Sequence, residues 1–209
     1  FKIQKLKEAE KLICTADPEY MNYAKYMFFK FPLAEYNTSD NKLINNPIFI
    51  KYLTYVNGID FYINYKWEYG DINNWNVKNI TDMSGAFKDS KFDQTLDHWN
   101  TEDVRNMSQM FQNTTLFNHN ISTWNVTNVT NMSSMFENTS LFNRSIETTT
   151  KTIDSHLATR RTYTAWDVQN VTNMMKMFRD AKKFNQPLQT WNTGKVENML
   201  RMFQRAVLF

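Results

Sequence analysis

The residue types that most often carry enzyme chemistry are few in this chain and widely spaced. The three histidines, His98, His119 and His156, are 21 and 37 residues apart, so they lack the close spacing of metal-binding motifs. The four glycines are isolated, which excludes a phosphate-binding loop recognisable by motif. No arrangement of Ser, His and Asp typical of a hydrolase stands out. We therefore assign no catalytic, cofactor-binding or metal-binding residue, and predict a protein that is not an enzyme and needs no cofactor.

Composition and charge limit the classes of partner. Apolar residues make up 42% of the chain and aromatic residues 15%, enough to build a core. No stretch approaches the ~20 apolar residues of a membrane-spanning helix. The net charge of +3 divides into +1 for residues 1–70 (9 basic minus 8 acidic) and +2 for residues 71–209 (15 minus 13), and neither part has a basic stripe, so we predict no nucleic-acid partner. Cys14 is the only cysteine, which excludes an intrachain disulfide.

The most informative feature is an internal repeat of 25 residues, which indicates a fold built from copies of one unit. Five tryptophans recur at steps of 24, 25, 42 and 25 residues, a methionine follows each one eight residues later, and a phenylalanine follows twelve residues later. The step of 42 is one repeat plus 17 extra residues, which defines an insertion at 147–165. We predict that equivalent side chains of successive repeats stack on one another in the core, and we call these stacks the structural ladder. The ladder comprises Trp75, Trp99, Trp124, Trp166, Trp191, Met83, Met107, Met132, Met174, Met199, Phe87, Phe111, Phe136, Phe178 and Phe203.

Within one repeat the apolar residues fit neither a continuous helical period nor a continuous strand period. We therefore predict a short strand at each Trp-Asx-Val segment and a helical turn at each Met-x-x-Met-Phe segment. An Asn or Asp precedes each ladder methionine, and we expect its side chain to hydrogen-bond backbone groups at a turn. Recognition of a polar ligand by this column is the alternative. The column consists of Asp82, Asn106, Asn131, Asn173 and Asn198.

Residues 1–70 lack the repeat and are predicted to form a mainly helical cap. Asp17 and Pro18 are typical of a helix start. Apolar and polar residues alternate at 59–68, which indicates a half-buried strand leading into the first repeat. A stack of repeats exposes the apolar end of its first unit unless another segment covers it. A separate small domain with its own enzymatic activity is the alternative, although about 70 residues make a thin core.

The sequence of the repeat resembles that of a known family. The stretch from Trp124 to Phe136, Trp-Asn-Val-Thr-Asn-Val-Thr-Asn-Met-Ser-Ser-Met-Phe, and the stretch from Phe184 to Trp191 look like the 25-residue repeat of the BspA-like leucine-rich-repeat family. That family includes mycoplasma surface lipoproteins and proteins of large DNA viruses. The resemblance covers residues 71–209, and the sequence departs from it at the insertion and at Ala86, where other repeats have Met.

The resemblance implies a fold and a role. The implied fold is an α+β repeat solenoid, a right-handed leucine-rich-repeat-like stack with short parallel strands and helical turns. The implied roles are surface display, adhesion or protein contact, with no catalytic residues to carry over. We interpret the chain as a non-enzymatic repeat scaffold for protein–protein contact or surface adhesion, located at a cell surface or in a virus particle. The alternative is a structural subunit of a large assembly such as a giant-virus particle.

Two regions are candidates for partner contact. The insertion at 147–165 carries Arg160 and Arg161, and insertions in repeat proteins often lie on the binding face. A disordered excursion is an equally acceptable interpretation. At the other site, Phe209 falls at a ladder position of the fifth repeat. Because exposed apolar patches mark missing contacts, we predict that further repeats or another chain cover this end.

Overall fold

The computed structural model describes residues 72–74, 77–78, 80–153 and 161–209. Regular elements in this part are a 3-10 helix at Ile72–Asn74 and two strands, β1 at Thr149–Ile153 and β2 at Arg161–Ala165. The strands pair antiparallel, with Thr149 opposite Ala165. The predicted cap of residues 1–70, including the strand at 59–68, lies outside the described residues, as does Trp75.

The predicted α+β solenoid with parallel strands and helical turns is wrong for the described residues. They contain no α-helix, and their only sheet is the two-stranded antiparallel pair β1–β2 in the insertion. The Met-x-x-Met-Phe segments are not helical because a residue inside each one has positive φ, such as Ser134 at 55°. The Trp-Asx-Val segments are not strands because turns such as Val129 N to Val126 O close directly after them. Parallel pairing is reduced to one isolated bridge between neighbouring repeats.

A regular rule of backbone hydrogen bonding joins the repeats instead. Counting from the ladder methionine, the N–H groups at positions 0, 2, 4 and 6 donate to carbonyls of the following repeat. Met132, Ser134, Phe136 and Asn138, for example, donate to repeat four at 2.7–2.9 Å. The odd-numbered N–H groups are satisfied within their own repeat, as where Met135 N donates to Met132 O at 3.2 Å. Four such bonds cross each of the four boundaries between repeats, so successive repeats lie side by side.

The Asn column caps this pattern, as the sequence predicts. The side-chain oxygen of Asn131 accepts from Ser133 N at 3.0 Å, which satisfies the N–H at position 1. The same bond recurs in all five repeats, from Asp82 in the first to Asn198 in the fifth. The prediction that this column binds backbone at turns is confirmed. Asn and Asp also suit position 6, where φ is positive at Asp89, Asn113, Asn138 and Asp180, because their short side chains tolerate the left-handed conformation.

Stacked aromatic side chains from successive repeats form much of the core. Phe111 stacks on Phe136 with centroids 5.7 Å apart, and Phe136 stacks on Phe178 at 5.6 Å. Trp99 stacks on Trp124 at 6.4 Å, and the indole N–H of Trp124 donates to Leu96 O at 2.9 Å. Each buried indole thereby keeps a hydrogen-bond partner while its ring packs against apolar neighbours.

Burial of the ladder decreases in the fifth repeat. The methionines at 83, 107, 132 and 174 have no exposed surface, as is also true of the phenylalanines at 111, 136 and 178. In the fifth repeat Met199 is 42% exposed and Phe203 is only partly buried. The ladder residues therefore divide into an enclosed set and a set that borders solvent.

This division gives a matched pair of substitutions for testing the role of the ladder. Met132→Ala should lower the free energy of unfolding by about 2–5 kcal/mol, because it leaves a cavity between repeats. Met199→Ala makes the same chemical change at the same ladder position but at an exposed site, so its loss should be much smaller. Urea unfolding of both variants measures the difference. Equal losses would show that the ladder methionines do not stabilise the protein through burial.

Candidate protein-contact surfaces

One surface of the repeats carries a column of paired polar side chains at position 6. Asn138 donates to Asn113 Oδ1 at 3.0 Å, and Asn113 donates to Asp89 Oδ1 at 2.5 Å. In repeats four and five the amides are replaced by charges: Arg205 donates two hydrogen bonds to Asp180, each at 2.6 Å. Because the members come from successive repeats, the column ties neighbouring repeats together along their solvent side.

A buried ion pair lies beneath this column. The Glu137 carboxylate is 5% exposed and pairs with the guanidinium of Arg179, while its second oxygen accepts from Gln112 Nε2 at 2.8 Å. Arg179 also lies 3.7 Å from Asp180. A buried carboxylate requires such partners because its charge loses water. The set links three repeats electrostatically, from Gln112 in the second to Asp180 in the fourth.

These contacts shift the acid–base behaviour of the column. The hydrogen bonds from Arg205 lower the pKa of Asp180, partial burial opposes this shift, and the positive charges of Arg205, Arg179 and Lys182 lower it further. The same pair raises the pKa of Arg205. Asp180 is 15% exposed but Arg205 is 65% exposed, so solvent screens the pair and its contribution to stability is small.

The insertion forms the β1–β2 hairpin, whose second strand is attached to the repeats by Tyr163. The phenol hydroxyl donates to Thr123 O at 2.5 Å, and the ring packs against the core. Burial raises the pKa of Tyr163. At the base of the hairpin, Thr148 Oγ1 donates to Trp166 O at 2.8 Å, and Trp166 N donates to Trp124 O. Both legs of the insertion therefore have defined contacts with the repeats.

The two arginines predicted as contact residues lie at the edge of what the structure describes. Arg161 is the first residue of β2, opposite Ile153. Arg160 lies outside the described residues. Their assignment to partner contact stays a prediction.

Exposed apolar side chains concentrate in the fifth repeat. Of the large apolar residues that are exposed among the described residues, two lie in earlier repeats, Leu116 and Leu141. The other five lie within 199–209, where exposure reaches 71% at Val207 and 52% at Phe209. This fifth-repeat surface consists of Met199, Leu200, Val207, Leu208 and Phe209.

Charge is also distributed unevenly along the repeats. Residues 71–146 contain 5 basic and 8 acidic side chains, a net charge of −3, whereas residues 166–209 contain 7 basic and 3 acidic, a net charge of +4. The fifth-repeat surface therefore belongs to the basic part of the chain. Complementary charge on a partner speeds association and contributes to its selection.

The two histidines that the structure describes have separate partners. His119 Nε2 lies 2.8 Å from Asp93 Oδ1, and His98 Nδ1 lies 3.2 Å from Asn74 Oδ1, each at its own place on the surface. His156 lies outside the described residues. Within the described ranges, no group of three His, Cys, Asp or Glu side chains could share a metal ion. No helix in these ranges is long and apolar enough to cross a membrane.

Sequence reasoning missed the charged partners of this surface. Asp180 and Arg205 are 25 residues apart, which is one repeat, so the repeat alignment contains the signal for their contact. Tyr163 was also missed, and no spacing rule could have placed it, because the hairpin interrupts the repeat.

The Asp180–Arg205 pair predicts a dependence of stability on pH. Asp180 has a lowered pKa in the folded state, so its ion pair adds stability above pH ~4, the ordinary carboxyl range, and loses it as pH falls through the lower folded value. Arg205→Gln should therefore destabilise the protein at pH 7, and the difference from the parent should shrink below pH ~4. Urea unfolding at several pH values measures it. Arg201→Gln removes a charge with no described partner, and an equal pH dependence in that control would refute the assignment.

Comparison with known proteins identifies a family and nothing closer. Searches of curated proteins and of solved structures find no match. A family model described as "Mycoplasma protein of unknown function, DUF285" matches residues 59–161 and 152–209, two stretches that meet within the insertion. Together they cover well over half of the sequence. The chain therefore belongs to the DUF285 family of mycoplasma proteins of unknown function.

Proposed function

We propose that this protein is a non-enzymatic repeat scaffold that contacts another protein, in surface adhesion or a related role at the cell surface. The observation that carries the proposal is the fifth-repeat surface, whose five large apolar side chains are exposed within a stretch that also contains the exposed Arg201 and Arg205. Apolar clusters rimmed by polar groups are typical of protein interaction sites. We also propose, from the sequence resemblance, that the repeats are related to those of BspA-like proteins.

A second candidate function is a structural subunit of a large assembly such as a virus particle. The uneven charge favours it, because the −3 of residues 71–146 and the +4 of residues 166–209 would attract one another between neighbouring copies. A stable structural contact should bury more than about 1,000 Å² in total. The two functions differ in the partner: a different protein in the first, copies of this chain in the second.

Site-specific crosslinking in the source cells distinguishes these functions. A photo-crosslinking residue at Leu200 or Val207 should capture one particular protein, because both side chains lie on the exposed apolar surface. The same residue at Lys91, which is exposed in the acidic part of the chain, is the matched control. Capture of copies of this chain would favour the structural subunit. If Leu200 and Val207 capture no protein beyond the background at Lys91, the proposed function is wrong.

The hairpin can be tested separately from this surface. Replacing residues 147–165 by Ser-Thr, the link found between Ile121 and Trp124, should leave a soluble, cooperatively folding protein, because repeats three and four would then join at normal spacing. Crosslinking from Leu200 should persist in this variant. Loss of soluble protein would show that the hairpin belongs to the core, and loss of crosslinking alone would show that the hairpin forms the contact. Tyr163→Phe, which removes one hydrogen bond worth about 1 kcal/mol, is the milder comparison.

A further inference from the structure

The backbone hydrogen bonds between the Met-x-x-Met-Phe segments of neighbouring repeats run in one direction, and this leaves a distinctive edge on the fifth repeat. Bonds just before each segment, such as Arg105 N to Thr81 O at 2.8 Å, run the other way and do not involve this edge. In repeats one to four, the N–H groups at positions 0, 2, 4 and 6 donate to the next repeat. The same four groups of the fifth repeat belong to Met199, Arg201, Phe203 and Arg205, and they have no acceptor among the described residues. Their neighbours are satisfied: Leu200 N donates to Asn198 Oδ1, and Met202 N donates to Met199 O. The result is a row of donors without acceptors, the donor edge.

This edge differs from the edge of an ordinary β-strand, which alternates donors and acceptors. Positive φ at Arg201 and Arg205, 59° and 61°, accompanies the turns that direct these N–H groups to one side. Successive N–H groups in alternating right- and left-handed conformations form concave sites that attract negative charge. The donor edge therefore requires acceptors, and it favours acceptors that are anionic.

Side chains along the edge add the same preference. The Arg205 guanidinium uses Nε and Nη2 on Asp180, which leaves Nη1 for a further acceptor. Arg201 is exposed. Between these arginines lies Phe203, whose ring stacks on Phe209 with centroids 4.2 Å apart, and Phe209 is 52% exposed. Each such ring in the earlier repeats is covered by a ring of the next repeat.

We propose that the donor edge binds an acidic polypeptide segment of a partner protein, which pairs its main-chain carbonyls with Met199, Arg201, Phe203 and Arg205. The segment places a carboxylate beside Arg205 and an aromatic or aliphatic side chain against Phe203 and Phe209. This is recognition by main-chain pairing at an exposed edge, with side chains supplying specificity. The inference rests on the proposed function of protein contact, and it names the chemistry of the partner.

The chain itself shows what such a segment looks like. In repeat four, carbonyls of Asn173, Met175, Met177 and Arg179 accept the four donors of repeat three. Asp180 follows them and binds Arg205. Residues 81–93 have a similar layout, with Asp89 at the position that would face Arg205 and with Phe87 and Phe92 for ring stacking. A synthetic peptide of residues 81–93, blocked at both ends, is therefore a suitable probe.

The first experiment is an NMR titration of the ¹⁵N-labelled full chain with this peptide. Amide signals of Met199, Arg201, Phe203 and Arg205 should shift most, because their N–H groups acquire acceptors. Asp89→Lys in the peptide should weaken binding at least about tenfold, since it places like charge against Arg205. Arg201→Met in the protein should weaken binding several-fold, whereas Lys91→Met, an exposed cation far along the repeats, should leave it unchanged.

Three results would overturn the proposal. Acetate or inorganic phosphate alone could shift the same amides as strongly as the peptide does, which would show a simple anion site. The peptide could shift other amides only, or none. The four amides could also be protected from hydrogen exchange in the natural full-length protein before any partner is added, which would show that the chain covers its own edge. In each case, crosslinking from Leu200 to another protein would keep the proposed function of protein contact intact, so the two failures are distinguishable.

Discussion

The structure depends on complete use of the backbone hydrogen-bonding groups in each Met-x-x-Met-Phe segment. Even-numbered N–H groups donate to the next repeat, odd-numbered ones donate within their own repeat, and the Asn column supplies the one acceptor that the backbone lacks. A buried backbone group without a partner costs about as much free energy as a lost hydrogen bond, so each buried N–H group of the segment requires an acceptor. It also fixes the distance between repeats, and the rings of the Phe and Trp columns then stack because the backbone has already aligned them.

The same constraint explains why the side chains on the polar surface form columns. Residues one repeat apart lie opposite each other, so any polar residue at position 6 meets its equivalent in the next repeat. The side-chain amide of Asn138 donates a hydrogen bond to that of Asn113, whereas Asp180 and Arg205 form an ion pair. Below them, Glu137 is buried without loss only because Arg179 and Gln112 reach it from neighbouring repeats. The polar columns therefore select pairs of residues rather than single ones.

The sequence predicts the repeat unit well and its local structure poorly. Spacing alone identifies the 25-residue period, the insertion and the turn-binding role of the Asn column, because each of these is a periodic property. It does not identify the secondary structure: the i, i+3, i+4 pattern of Met132, Met135 and Phe136 is typical of a helix, yet positive φ at Ser134 replaces the helix by turns. The spacing of apolar residues indicates which side chains face the core. A helix and a series of turns can both direct the same side chains inward, so the spacing does not distinguish them. The hydrogen bonds that choose between them join residues 23 or 24 apart, or 41 apart across the insertion, and local propensity does not include them.

The bonds of the Met-x-x-Met-Phe segments also give the row of repeats a polarity, because they outnumber the bonds that run back to the preceding repeat. In an ordinary sheet the peptide dipoles largely cancel, because donors alternate along each strand. Here four N–H groups at every boundary point the same way, and their dipoles add as they do along a helix, with the positive end at the fifth repeat. The side-chain charges follow the same sense, from −3 over residues 71–146 to +4 over residues 166–209. Side chains and backbone therefore reinforce one another, and the acidic partner that we propose for the fifth repeat would interact favourably with both.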